Sequence, residues 1–200
     1  MIALLRRIMG PGRLIRKLDT TVLKDHERAV QALTSMGRQA VPSILHELSQ
    51  EPDEERSPSV VAARQGGVAD HVIAGGIYAG SPVPADVSSE RILHVTVARG
   101  LIAIGKNRQY GLCLALGHIG DERAVPVLTE RLSDKSRHVA SAAAEALIRI
   151  GSDAALRAVL PSVEKDSSLR WHLRVMAGVE ELLEGRSGQL AHDVLEAVRK

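Results

Sequence analysis

Two imidazole–carboxylate neighbours are the residues most capable of chemistry in this chain: Asp25-His26-Glu27 and His46-Glu47. Imidazole and carboxylate are ligand types that a transition metal takes. The two pairs do not keep the spacing of the sequence repeat described below, and no third pair follows. His118-Ile119 and His138-Val139 lack the glutamate. The histidines are therefore expected to be solvated helix-surface residues, and no metal ligands are assigned. Trp171, flanked by Arg170, His172 and Arg174, has the composition of a base-stacking site. One aromatic is too few for a stacking platform, so Trp171 is expected to fill the core of a terminal helix. Cys113 lies between Leu112 and Leu114 and reads as a structural thiol. Gly75-Gly76 lacks the Lys-Ser/Thr of a phosphate loop, and no nucleophile motif is present. No catalytic residue, metal or cofactor is assigned.

Composition narrows the classes further. The net charge is +2, too small for a global field favouring nucleic acid. There is no Phe, one Trp and two Tyr, so the core must be built from Leu, Ile, Val and Ala. A lone cysteine cannot form an internal disulfide, which points to a reduced, cytoplasmic setting. No apolar run is long enough for a transmembrane helix. Met1–Leu5 before Arg6-Arg7 does not read as a secretory signal. Residues 1–17 carry Arg6, Arg7, Arg13, Arg16 and Lys17 and no acid. Their apolar residues recur at helical spacing, and Gly10-Pro11-Gly12 must break the segment in two. A basic amphipathic segment over 1–20 is expected to cover one end of the fold. The alternative is a peripheral contact with an anionic membrane or an acidic partner.

The elements that position these residues are repeated. Ala115-Leu116-Gly117-His118-Ile119-Gly120 returns further along as Ala146-Leu147-Ile148-Arg149-Ile150-Gly151. The offset from 115 to 146 has the length of one helix-pair repeat. Ala32–Gly37 is a third copy, and Gly100–Gly105 a weaker fourth. After Gly37 and Gly120, similar segments containing Ala40-Val41-Pro42 and Ala124-Val125-Pro126 begin the next helix. Glycine suits the left-handed residue past a helix end, and proline suits the first helical turn. Helices are expected over 23–36, 88–104, 107–119, 123–133, 136–150, 154–164, 168–184 and 187–199, with Pro161 kinking or splitting the sixth. In 136–150, Val139, Ala142, Ala143, Ala146, Leu147 and Ile150 form the inward stripe, with Arg137, Ser141 and Glu145 facing outward. Residues 51–87 hold four of the eight prolines and read as an insertion that interrupts a repeat domain over 21–200.

These motifs resemble HEAT repeats of the phycobilisome-lyase-like class. In that class a short helix reads Asp-x-x-Ala-Val-x-x-Leu and a second ends Ala-Leu-Gly-x-Ile-Gly. Residues 105–165 carry the pattern and 30–48 carry part of it; residues 1–20 and 51–87 depart from it. The resemblance implies an all-α solenoid of stacked antiparallel helix pairs. It also implies a concave partner-binding face lined by the second helix of each pair, here 88–104, 107–119, 136–150 and 168–184. The non-core residues there include Arg99, Arg108, Arg137, Glu145, Arg170 and Arg174, a mostly basic set suited to an acidic protein surface. The function so implied is a non-catalytic interaction scaffold that also uses the 51–87 insertion. The class includes bilin lyases and antenna chaperones, which makes a bilin transferase or chaperone the alternative. HEAT-like enzymes that act on DNA, and HEAT-repeat hydroxylases with His-Glu metal sites, are matched less well.

Overall fold

The computed structural model describes residues 10–18, 23–50 and 108–200, which fall in one compact unit formed by Met1–Gln50 and Arg108–Lys200. The helix expected at 88–104, the 51–87 insertion and Arg99 lie outside the described residues. The described residues are all-α, an arrangement of stacked helix pairs.

Helix α1, Pro11–Arg16, starts on Pro11 after an extended Gly10 and buries Leu14 and Ile15 against the next two helices. Those are α2, Leu23–Met36, and α3, Val41–Ser49, joined through Gly37 and a 3-10 turn at Gly37–Gln39. The described part of α4 covers residues 108–119 and ends at Gly120. Helices α5, Val125–Arg131, and α6, Arg137–Ile150, form the next pair; α7 spans Asp153–Lys165. Helix α8, Ser167–Trp171, passes into a π turn at His172–Met176. Helices α9, Val179–Glu184, and α10, Gln189–Arg199, follow. Gly120 and Gly151 have φ of +71° and +66°, as the repeat boundaries require.

Helix α6 is the hub. It packs against α5, α7 and α9, and its Ala146 meets Gly117 of α4. A Cβ on Gly117 would lie 2.6 Å from the Ala146 Cα, so only glycine permits this approach. Encirclement overturns part of the sequence-based expectation. Every residue from 141 to 148 is buried, including Ser141 and Glu145, for which the helical phase predicts solvent. Their side of the helix is covered by neighbouring elements rather than by water. Ile150, expected in the inward stripe, is only partly buried.

Two boundaries also differ. The expected single helix over 168–184 is interrupted, because Gly178 stands where the next copy of the phrase would place the equivalent of Leu147, and it adopts φ of +59°. Glycine there removes a core leucine from the phrase and ends the helix early. Pro161 does not split α7. The carbonyl left without a partner belongs to Arg157, which is exposed and can be served by water.

Asp121 organises the turn after Gly120. It accepts hydrogen bonds from the Arg123 backbone N–H at 3.0 Å and from the Arg123 Nε at 2.9 Å, and lies 3.8 Å from Arg38 in the equivalent earlier turn. Hydrogen bonding to Arg123 holds its carboxyl down from the ordinary 3.8 to about 2. Farther along the same side, Arg131 donates to the Leu48 carbonyl, tying α5 to the end of α3.

Leu147 is fully buried and Arg137 exposed. In denaturant titrations Leu147→Ala should cost about 2–5 kcal/mol, and Arg137→Ala less than about 1 kcal/mol. Gly117→Ala should destabilise by roughly 1–3 kcal/mol despite the better helix propensity of alanine, because the new methyl meets backbone. A stabilised Gly117→Ala variant would contradict the close approach. Asp121, with its lowered carboxyl, supports folding above pH 3.8, and that support is lost as pH falls towards about 2. Acid titration of Asp121→Asn should therefore show a shallower loss of stability over that window than the parent.

Candidate functional site

The resemblance assigns partner binding to the second helix of each pair, and the structure sorts the residues of that face sharply. Arg108 of α4 is half-buried and engages Glu47 of α3, with Nη1 2.5 Å from Oε1. Glu145 is 7% exposed and accepts from the Arg149 Nε at 2.8 Å, one turn on. Arg170 turns back and donates to the Val163 and Glu164 carbonyls at 3.0 and 2.8 Å, closing the C-terminus of α7. Positive side chains suit that end because the last carbonyls of a helix lack intrahelical donors. Glu145 is thus buried where an outward position is expected, and the half-buried Arg108 and Arg170 have partners within the fold. Arg137 and Arg174 are exposed. Arg137 donates to Ser168 Oγ at 3.1 Å, and Arg174 makes a long 3.4 Å bond to the Arg199 carbonyl.

Between the two exposed arginines lies the feature that sequence reasoning misplaces. Trp171 is 53% exposed and Val175, one turn on, is 56% exposed. Trp171 does not fill the core; Leu169 and Leu173 take the inward positions of this segment. The phase of the repeat carries the correction, since Trp171 aligns with Ala140, which is only partly buried.

The neighbouring titratable groups act on one another. Burial raises the Tyr110 hydroxyl, and the Glu145 carboxylate raises it further. Burial lowers the His172 imidazole; Glu145 opposes that and His138 adds to it. The lowering favours the neutral ring at neutral pH. His26, expected on the surface, is buried at 8% exposure, its ring centroid 6.1 Å from that of Tyr110. His46, His118 and His138 are exposed. Glu47 and Asp25 are engaged by Arg108 and Arg28, at 2.5 and 3.3 Å. Among the described residues no cluster of three or more His, Cys, Asp or Glu is placed to hold a metal ion.

A hollow of about 510 Å³ lies where the starts of α7 and α10 meet, lined by Gly151, Asp153, Arg157, Arg186 and Gln189 among others. Arg186 crosses it to donate to the Arg149 carbonyl at 2.7 Å, capping α6. No aromatic residue lines it.

Residues 106–176 match the family model for HEAT repeats. The HEAT match takes in all of the described part of α4 and runs to the end of the π turn, so it covers the hub helix and the exposed Trp171–Val175 face. No curated protein matches the chain. HEAT repeats generally mediate protein–protein contacts. Among the described residues no helix is long and apolar enough to cross a membrane.

Cys113 is fully buried, and burial pushes its thiol up to about 12 against a partial opposing effect of Arg131. A thiol held protonated and covered is a poor nucleophile. A maleimide or disulfide reagent at neutral pH should leave Cys113 unlabelled in the folded protein and modify it fully in denaturant. Rapid native labelling, read by intact mass, would show that α4 opens locally.

Proposed function

We propose that the chain is a non-catalytic adaptor that holds an acidic protein surface against the exposed start of α6 and the exposed face of α8 and its π turn. The observation that carries this reading is the sorting of the arginines. Arg108 and Arg170 are consumed by a carboxylate and by helix-end carbonyls, whereas Arg137 and Arg174 remain exposed beside an uncovered tryptophan. Guanidinium groups on an exposed face suit bidentate contact with carboxylates. An aromatic between them supplies the apolar contact that interfaces concentrate at their centre. Arg99 and the 51–87 insertion belong to the same proposal as further contacts; both lie outside the described residues.

The finer family assignment, the phycobilisome-lyase-like class, rests on the Asp121–Leu128 and Ala146–Gly151 phrases. Within that class we favour a scaffold over a bilin transferase, because the hollow beside Gly151 offers a tetrapyrrole no ring face. A cytoplasmic setting accords with a single buried thiol. The membrane alternative for residues 1–17 finds less support, because Leu14, Ile15 and Leu18 turn inward. Exposed Arg13, Arg16 and Lys17 leave a basic outer edge there.

The test is charge reversal at the two exposed arginines. Arg137→Glu with Arg174→Glu should abolish recovery of the parent's partners in affinity purification with mass spectrometry. Circular dichroism and melting temperature should stay close to the parent, as is usual for surface positions. Undiminished recovery of the same partners would move the contact off this face.

A further inference from the structure

The repeat aligns three helical lines with one another. In α4 the line is Gln109, Cys113 and Leu116, and in α6 it is Ala140, Ala144 and Leu147. Five of these six residues are buried, and Ala140 is partly so. At the next step of the repeat after α6 the line is Trp171, Val175 and Gly178, and all three are exposed. The stripe that is buried in α4 and α6 is therefore open to water here. The cause is local. The π turn at His172–Met176 and the left-handed Gly178 end the segment before it completes the phrase. Repeat units bury their apolar faces on their neighbours, so an uncovered equivalent line is an unfinished stacking surface.

The geometry points to an occupant: an amphipathic helix from a protein partner, with an apolar stripe seated on Trp171 and Val175 and acidic residues along its flanks. Helical form follows from the repeat, whose units bury their apolar faces on neighbouring helices. The acidic flanks follow from the rim. Arg137 reaches Ser168, one turn before Trp171, and Arg174 lies between Trp171 and Val175 in sequence. The nearby acid Asp166 is committed to capping α8, accepting from the backbone N–H groups of Ser168 and Leu169 at 2.8 and 3.1 Å. The bound helix would be read as anchors spaced by three and four residues. This inference rests on the adaptor reading and narrows it from an acidic surface to an acidic amphipathic helix.

Trp171 is the sole tryptophan, so its emission reports the edge directly. The probe is a labelled synthetic peptide helix with leucine at helical spacing on one face and glutamate on both flanks. Its control has the same composition with the leucines distributed around the helix. Titrated into the full chain, the patterned peptide should shift Trp171 emission to the blue and raise the label anisotropy with saturation; the control should do neither. Val175→Asp should weaken binding at least about tenfold with an unchanged melting temperature. Glutamine in place of the peptide's glutamates should weaken it and remove its salt dependence. No saturable shift, or an equal response to the control, overturns the proposal. So does a blue shift that follows chain concentration alone in sedimentation, which would make a second copy the occupant. Partner capture separates the two readings. If Val175→Asp keeps full capture while the arginine reversals abolish it, the adaptor reading stands and the helix edge falls. If the peptide binds Trp171 while the arginine reversals leave capture intact, the edge stands and the adaptor reading falls.

Discussion

Helices α4 and α6 touch at Gly117 and Ala146 without a side chain between them, and the rest of the described fold is arranged around that contact. Such an approach requires small residues on the facing surfaces, which α6 supplies with Ala142, Ala143, Ala144 and Ala146. A helix that thin can be surrounded, so α5, α7 and α9 close on it. A core without phenylalanine accords with this. Large rings would hold the helices apart, whereas Leu116, Leu128, Leu147 and Ile148 fill the remaining space in full burial. The buried Glu145 is then tolerable only because Arg149 reaches it from the next turn.

Arginine holds the helix ends. Arg131 serves the Leu48 carbonyl, Arg170 those of Val163 and Glu164, and Arg186 that of Arg149. Each long side chain reaches at least one carbonyl that a helix end leaves without a donor, and each ties one element to another. At Gly151 this device and the left-handed turn coincide. A Cβ there would overlap the Arg186 guanidinium, so the glycine supplies both the backbone conformation and the room for its neighbour's cap.

Much of this is legible in the residues. The repeated phrase locates α6, its glycine terminus and the Pro42 and Pro126 starts, because those features are local and recur with the unit. What the phrase hides is neighbourhood. A helical phase divides inward from outward for a helix with one covered side, so it misassigns Ser141 and Glu145 of the encircled α6. His26 escapes sequence reasoning for the same reason, since its burial depends on Tyr110, which lies far along the chain beyond the insertion. The arginines escape it because an outward helical position does not reveal that a carbonyl terminus lies within reach. Trp171 misleads because a lone large apolar residue is ordinarily interior, and only the aligned positions of the two preceding copies show that its line has lost its cover.

Stacking is thus complete around α6 and incomplete beyond it, leaving the third equivalent line exposed. Collisional quenching of the single tryptophan by acrylamide in the isolated, folded chain tests this directly. The account predicts a quenching constant approaching that of the urea-unfolded chain, because half of the Trp171 surface is open to solvent. A folded-state constant many times smaller, as for an interior indole, would contradict it.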